Sequence, residues 1–294
     1  MRTIDAIGAA SCIAGNRFGC CAGPRMLRHS GMIGVLARKH GLLLNWQQVL
    51  DPHIEMDKEA ALRKLFYNLS HQVQVLVKKQ RPFVFMGGDH ACAMGVWGGV
   101  LSAIHGRHSL GLIWIDAHMD SHTFATSDSG NIHGMPLAAL LGQADPRLAR
   151  IYGQHPFLDP SRLVLIGVRS YEKAEQQLLK RLGVQVYDMA RIRRSGGLSV
   201  VLRRVLNNMR SRCQHYGITI DLDGIDPRYA PGVGVPVAGG LSGAALCQTL
   251  KGLGSDPALI GLEIAEFNPL QDKNHRTEQL VEELIGSVYG DRWS

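Results

Sequence analysis

Cysteine is scarce in this 294-residue chain: Cys12, Cys20, Cys21, Cys92, Cys213 and Cys247 include no C-x-x-C pair. A chain of this length builds its core without a disulfide framework, so free thiols in a reducing cytoplasm are expected. Long apolar runs are also missing. None approaches the ~20 residues a membrane span requires, and Asp5 breaks the apolar start before it could serve as a secretion signal. Aromatic residues are only 6% of the chain, and the basic residues are scattered in short clusters such as Lys78-Lys79, Arg191 with Arg193-Arg194, and Arg203-Arg204. The net charge of +7 therefore reads as a solvated basic surface, with no nucleic-acid or membrane partner. No linker or internal repeat interrupts the chain, which reads as a single domain over 1–294.

Apolar runs alternate with amphipathic ones from end to end, the pattern of a parallel sheet with helices on both faces. Strands are expected at 3–10, 42–46, 82–86, 111–116, 162–168, 184–187, 216–220 and 259–264. The intervening helices are expected at 24–40, 57–79, 91–105, 172–182, 198–213, 242–253 and 276–289. The stretch 122–135, dense in Ser, Thr, Asp, Gly and Asn, reads as a long polar loop, and such loops in compact domains are usually functional.

Five of the strands end in polar clusters: Asp89-His90, Asp116 to Asp120, Arg169-Ser170, Asp221 to Asp226, and Glu266. Parallel strands place all of them on the edge of the sheet where open α/β folds bind ligands. The densest cluster, Asp116-Ala-His118-Met-Asp120, follows an apolar run and cannot be buried without a compensating cation. Residues two apart on extended backbone point the same way, so this segment and Asp221-Leu-Asp223 each present a fan of donors. Four aspartates balance two divalent ions, and His90 and His118 can supply each ion with one nitrogen. An oxygen-rich set with some imidazole favours manganese, with zinc, nickel or iron as alternatives.

Gly87-Gly-Asp-His90, Asp116-Ala-His-Met-Asp120 and Thr219-Ile-Asp-Leu-Asp-Gly-Ile-Asp-Pro227 resemble the three signatures of the ureohydrolase family, which comprises arginases, agmatinases and formimidoylglutamases. The resemblance covers nearly the whole chain. It implies a three-layer α/β/α domain around an eight-stranded parallel sheet, a homo-oligomer (trimer or hexamer), and a cluster of two Mn2+ ions. One ion would take His90, Asp116, Asp120 and Asp221; the other would take Asp116, His118, Asp221 and Asp223.

Within the family, the loop Ser127 to Pro136 is similar to that of arginases. Ser129 and Asn131 match positions that contact the amino-acid end of the substrate, His133 matches the proton shuttle, and Glu266 matches the carboxylate that pairs with a guanidinium. Three positions depart. His122 stands where arginases carry an asparagine that reads the substrate carboxylate, Glu172 stands near an aspartate that reads the α-amino group, and Val235 replaces a threonine. The implied activity is hydrolysis of L-arginine to ornithine and urea, with a metal-activated hydroxide as nucleophile and Asp120 or Asp223 accepting its hydrogen bond.

The nearest rival reading is a sister enzyme acting on another guanidino or formimino compound: agmatine, guanidinobutyrate, guanidine or formiminoglutamate. A related metal-dependent deacetylase fits the motifs poorly. A non-catalytic metal-binding relative is disfavoured by the intact donor set together with His133.

Overall fold

The computed structural model describes residues 1–16, 18–104 and 109–290, with Ile33 described by its backbone alone. Eight strands form one sheet: β1 Arg2–Ala9, β2 Leu42–Leu50, β3 Phe83–Gly87, β4 Leu110–Ile115, β5 Leu163–Val168, β6 Gln185–Asp188, β7 His215–Asp221 and β8 Leu259–Ala265. Their order is β2-β1-β3-β8-β7-β4-β5-β6, and every pairing is parallel. Strands covered on both faces need apolar residues at every position, and β3, β4 and β8 are buried throughout.

Within β4 the two-residue period divides the side chains between two cores. Ile113 and Ile115 face the helices Leu198–Arg212, Gly243–Leu250 and Arg276–Tyr289, while Leu112 and Trp114 face Lys58–Lys78 and Ala93–Ala103. This is the three-layer arrangement expected from the alternating pattern. The helix that follows His90 sits close against Lys58–Lys78 because glycines face the contact. A Cβ on Gly99 would come within 2.8 Å of the Ser70 backbone.

Some local expectations need correction. The helix expected over 24–40 is two, Gly23–His29 and Met32–His40. Ser30 separates them: its hydroxyl accepts from the Met32 N–H at 3.2 Å and contacts the Leu27 carbonyl at 3.3 Å, the local bonding by which serine competes with helix. Strand β2 runs four residues beyond Trp46, to Leu50, past a register shift in its partner between Ala6 and Ile7. The helix expected over 91–105 begins as a 3-10 turn at His90–Cys92 and continues as Ala93–Ala103; its expected end, His105, lies outside the described residues. Three short helices, Pro136–Leu140, Pro146–Tyr152 and Met189–Arg194, were not expected. All six cysteines are free. Among the described residues, no helix is long and apolar enough to cross a membrane.

Candidate active site

The parallel sheet delivers the polar clusters of β3, β4, β7 and β8 to one edge. His90 enters from the turn after β3, whose Gly88 lies so near β1 that a Cβ there would stand 1.9 Å from the Ser11 carbonyl oxygen. Only glycine permits that approach. Asp89 turns away from the cluster and fixes the segment after β1, accepting from the Ser11 hydroxyl at 3.0 Å and the Ala14 N–H at 3.1 Å.

The His90 ring reaches three carboxylates at once. Its Nδ1 lies 3.2 Å from Asp116 Oδ2 and 3.1 Å from both Asp120 Oδ2 and Asp221 Oδ2, yet it makes no hydrogen bond and is fully buried. Beside it, His118 Nδ1 lies 3.1 Å from Asp223 Oδ2 and 3.5 Å from Asp116 Oδ1. The donors thus fall into two groups that share Asp116: His90, Asp116, Asp120 and Asp221 in one, and Asp116, His118 and Asp223 in the other. Asp221 was expected to be shared as well. Its Oδ2 joins the first group, and its Oδ1 accepts the N–H of Asp223, a member of the second group, at 2.9 Å.

Burial pushes these carboxyls upward. Asp120 rises to about 7, with Asp116 adding to the effect of burial, and Asp221 and Asp223 also rise. At Asp116 the two imidazoles outweigh burial and its pKa falls. Burial alone would lower His118, but Asp223 and Asp116 raise it to about 12. A buried imidazole nitrogen without a hydrogen bond, converging with carboxylate oxygens, fits two divalent cations.

The surroundings lock these donors. Trp114 stacks on the His90 ring with centroids 4.3 Å apart and donates from Nε1 to Asp116 Oδ2 at 2.9 Å. Behind His90, Nε2 meets Thr219 Oγ1 at 3.0 Å, and that hydroxyl donates to Glu263 Oε2 at 2.9 Å. A hydrogen-bonded partner on the far nitrogen fixes the orientation of a ligating histidine. The Arg169 guanidinium bonds to the carbonyls of Gly167, Asp223, Gly224, Val237 and Ala238. Its role is to hold the segment after β7 in place.

A pocket of about 350 Å³ opens over the carboxylates, and Ser129, Asn131, His133, Glu172 and Val235 line it. His133 Nδ1 lies 3.2 Å from Glu266 Oε1, which also accepts the His90 N–H at 3.1 Å. Burial alone would lower His133; the Glu266 carboxylate outweighs it and raises the pKa to about 9. His122 and Glu172, expected to read separate groups of a substrate, are bonded to each other. His122 Nε2 also lies 3.3 Å from Glu175 Oε2, and Nδ1 is 3.1 Å from the Thr126 hydroxyl.

Glu175 escaped the sequence reading. It is buried, accepts the Ser121 N–H at 3.1 Å, and forms a capping box with Glu172 at the start of the helix Lys173–Arg181. The Glu172-x-x-Glu175 spacing was its available signal.

Residues 3–290 match the model of the arginase family. The arginase of Bacillus caldovelox is 34% identical, with 99% of each chain aligned, and that of Bacillus subtilis (strain 168) is 32% identical over the same shares. The solved Bacillus caldovelox arginase superposes with a TM-score of 0.90 at 33% identity, covering 100% of both chains. The formimidoylglutamase of Bacillus subtilis has the same fold, with a TM-score of 0.79 at 21% identity over 98% of this chain and 86% of its own. With the motifs, the parallel sheet and the relatives in agreement, the chain belongs to the arginase family of ureohydrolases, hydrolases that act on linear amidines.

Proposed function

We propose that the chain hydrolyses L-arginine to L-ornithine and urea, with two Mn2+ ions held by His90, Asp116, His118, Asp120, Asp221 and Asp223. The observation that carries this reading is the His133–Glu266 pair at 3.2 Å, set beside the buried carboxylates at the floor of a pocket of about 350 Å³. The ions, when bound, lower the pKa of a coordinated water and so supply a nucleophile near neutral pH.

The rest falls to the chain's own side chains. Glu266 offers a planar carboxylate to the planar guanidinium, which favours a two-pronged bond. Asp120 and Asp223, on the pocket wall, can accept a proton from the attacking water. His133, whose pKa Glu266 raises, can hold a proton on its ring for the departing amine. Ser129 and Asn131, at the outer wall, bind the amino-acid end.

His122 acts differently from a free carboxylate reader. With Glu172 and Glu175 on one nitrogen and Thr126 on the other, it orients Glu172 for the α-ammonium group. Agmatine lacks the carboxylate that Ser129 and Asn131 would bind, and a site that leaves its polar groups unpaired discriminates strongly. Arginine is expected to exceed agmatine in kcat/KM by at least about two orders of magnitude. A urea-release comparison of arginine, agmatine, guanidinobutyrate and guanidine, with formamide release from formiminoglutamate, tests this. Equal or faster turnover of any rival substrate overturns the arginine assignment.

A further inference from the structure

We propose a separate divalent-cation site for a zinc-class metal, formed by His40, Glu282 and Glu283 where the helix Met32–His40 meets the helix Arg276–Tyr289. It shares no residue with the active site. His40 and Glu282 are each only 8% exposed. The Nε2 of His40 is fully buried and has no hydrogen-bond partner. It faces Glu282 Oε1 at 3.9 Å and Glu283 Oε2 at 3.8 Å, and the three donor atoms lie within 4.8 Å of one another.

Those separations are too long for hydrogen bonds. The two His40 separations suit an ion placed between the atoms, since tetrahedral ligands at ~2.1 Å from zinc lie roughly 3.4 Å apart. An imidazole nitrogen beside two carboxylates selects zinc-class ions over calcium or magnesium, which prefer all-oxygen sets.

Three further features point the same way. The His40 ring, Nε2 included, lies against Gly286, where a Cβ would come within 2.5 Å of the ring, so the glycine leaves the ring its place. His40 is the last residue of its helix, before the left-handed Gly41, and the carbonyl end of a helix favours a cation. Burial lowers the His40 pKa, which keeps the ring neutral and its lone pair available. Lys39 occupies Glu283 Oε1 and leaves Oε2 free. Two carboxylates against one ammonium give the cluster net negative charge before an ion enters. An adjoining cavity of about 480 Å³, with Gln248 and Ser287 on its wall, admits the water that completes the coordination.

The test counts metal. Manganese-loaded protein is equilibrated with zinc, desalted and analysed for total metal, beside His40→Gln and Glu283→Gln; the second alters a half-exposed side chain and leaves the fold intact. The parent is expected to retain one metal equivalent more than either variant, whatever the active-site content, and zinc is expected to raise the Tm of the parent alone. Equal metal content in the parent and Glu283→Gln, or a zinc-induced Tm rise of the same size in both, overturns the site.

Discussion

Asp120 and Glu266 both adopt left-handed backbone, with φ of 46° and 66°, a conformation that is costly for residues other than glycine and concentrates at functional sites. Removing one proposed ligand should be far more damaging than trimming a neighbouring core residue. Asp223→Asn is expected to lower kcat by more than about a hundredfold and to reduce bound manganese. Cys92→Ala, which shortens a fully buried side chain, is expected to cost about 1 kcal/mol of stability and to leave activity near that of the parent. Steady-state kinetics beside denaturant melts separates the two; comparable losses of activity would assign the thiol a chemical role.

His133 yields a pH prediction of definite sign. Its pKa in the folded metal-free protein is raised from 6.5 to about 9, so its contribution to stability is fully present below pH 6.5 and is lost as pH rises through 9. The Tm difference between the parent and His133→Asn should therefore shrink between pH 6.5 and pH 9. A difference that stays constant across that window would show that the Glu266 contact does not hold the proton. The proposed ligands were legible because acidic and imidazole groups interrupt apolar runs at strand ends. The Thr219–Glu263 contact behind His90 was not, because it crosses between strands, whereas Glu175 had a local signal in its spacing from Glu172.

At the scale of elements, the long helices and the strands were legible from periodicity. Arg276–Tyr289 has the expected bounds, since apolar residues recur along one face over fourteen residues. The short helices Pro136–Leu140 and Pro146–Tyr152 span less than two full turns, too few to establish a period. Even so, Asp145 before Pro146 was a readable start: its carboxylate accepts the Arg147 and Leu148 N–H groups at 2.9 and 3.0 Å. Arg169 shows what a loop demands of one side chain, since its five carbonyl contacts fasten the segment that carries Asp223. Arg169→Lys preserves the charge but loses the planar fork of donors. It is expected to weaken manganese binding by about tenfold or more while kcat at saturating metal falls less. A metal titration monitored by activity checks this, and an unchanged half-saturation point would show that the segment holds itself.

For the whole molecule, the two apolar cores, one on each face of the sheet, carry the fold, and the buried His/Asp cluster sits at its edge. Chelation is expected to abolish turnover and leave the far-ultraviolet circular dichroism unchanged. Reconstitution with manganese should restore activity and, because the ions bind only the folded state, raise the Tm. Loss of helical signal on chelation would place the ions among the determinants of folding.

The strand order carries a consequence for biosynthesis. β8, the last strand of the sheet, lies between β3 and β7, so until residue 265 has left the ribosome the sheet exists as two separate pieces, β2-β1-β3 and β7-β4-β5-β6. Each piece presents an open apolar edge, the kind of surface that pairs with other chains. A nascent chain stalled before Leu259 should therefore bind holdase chaperones strongly and aggregate when released. The full chain, once released, should close its own sheet, bringing Glu266 to the pocket in the same step that removes both edges.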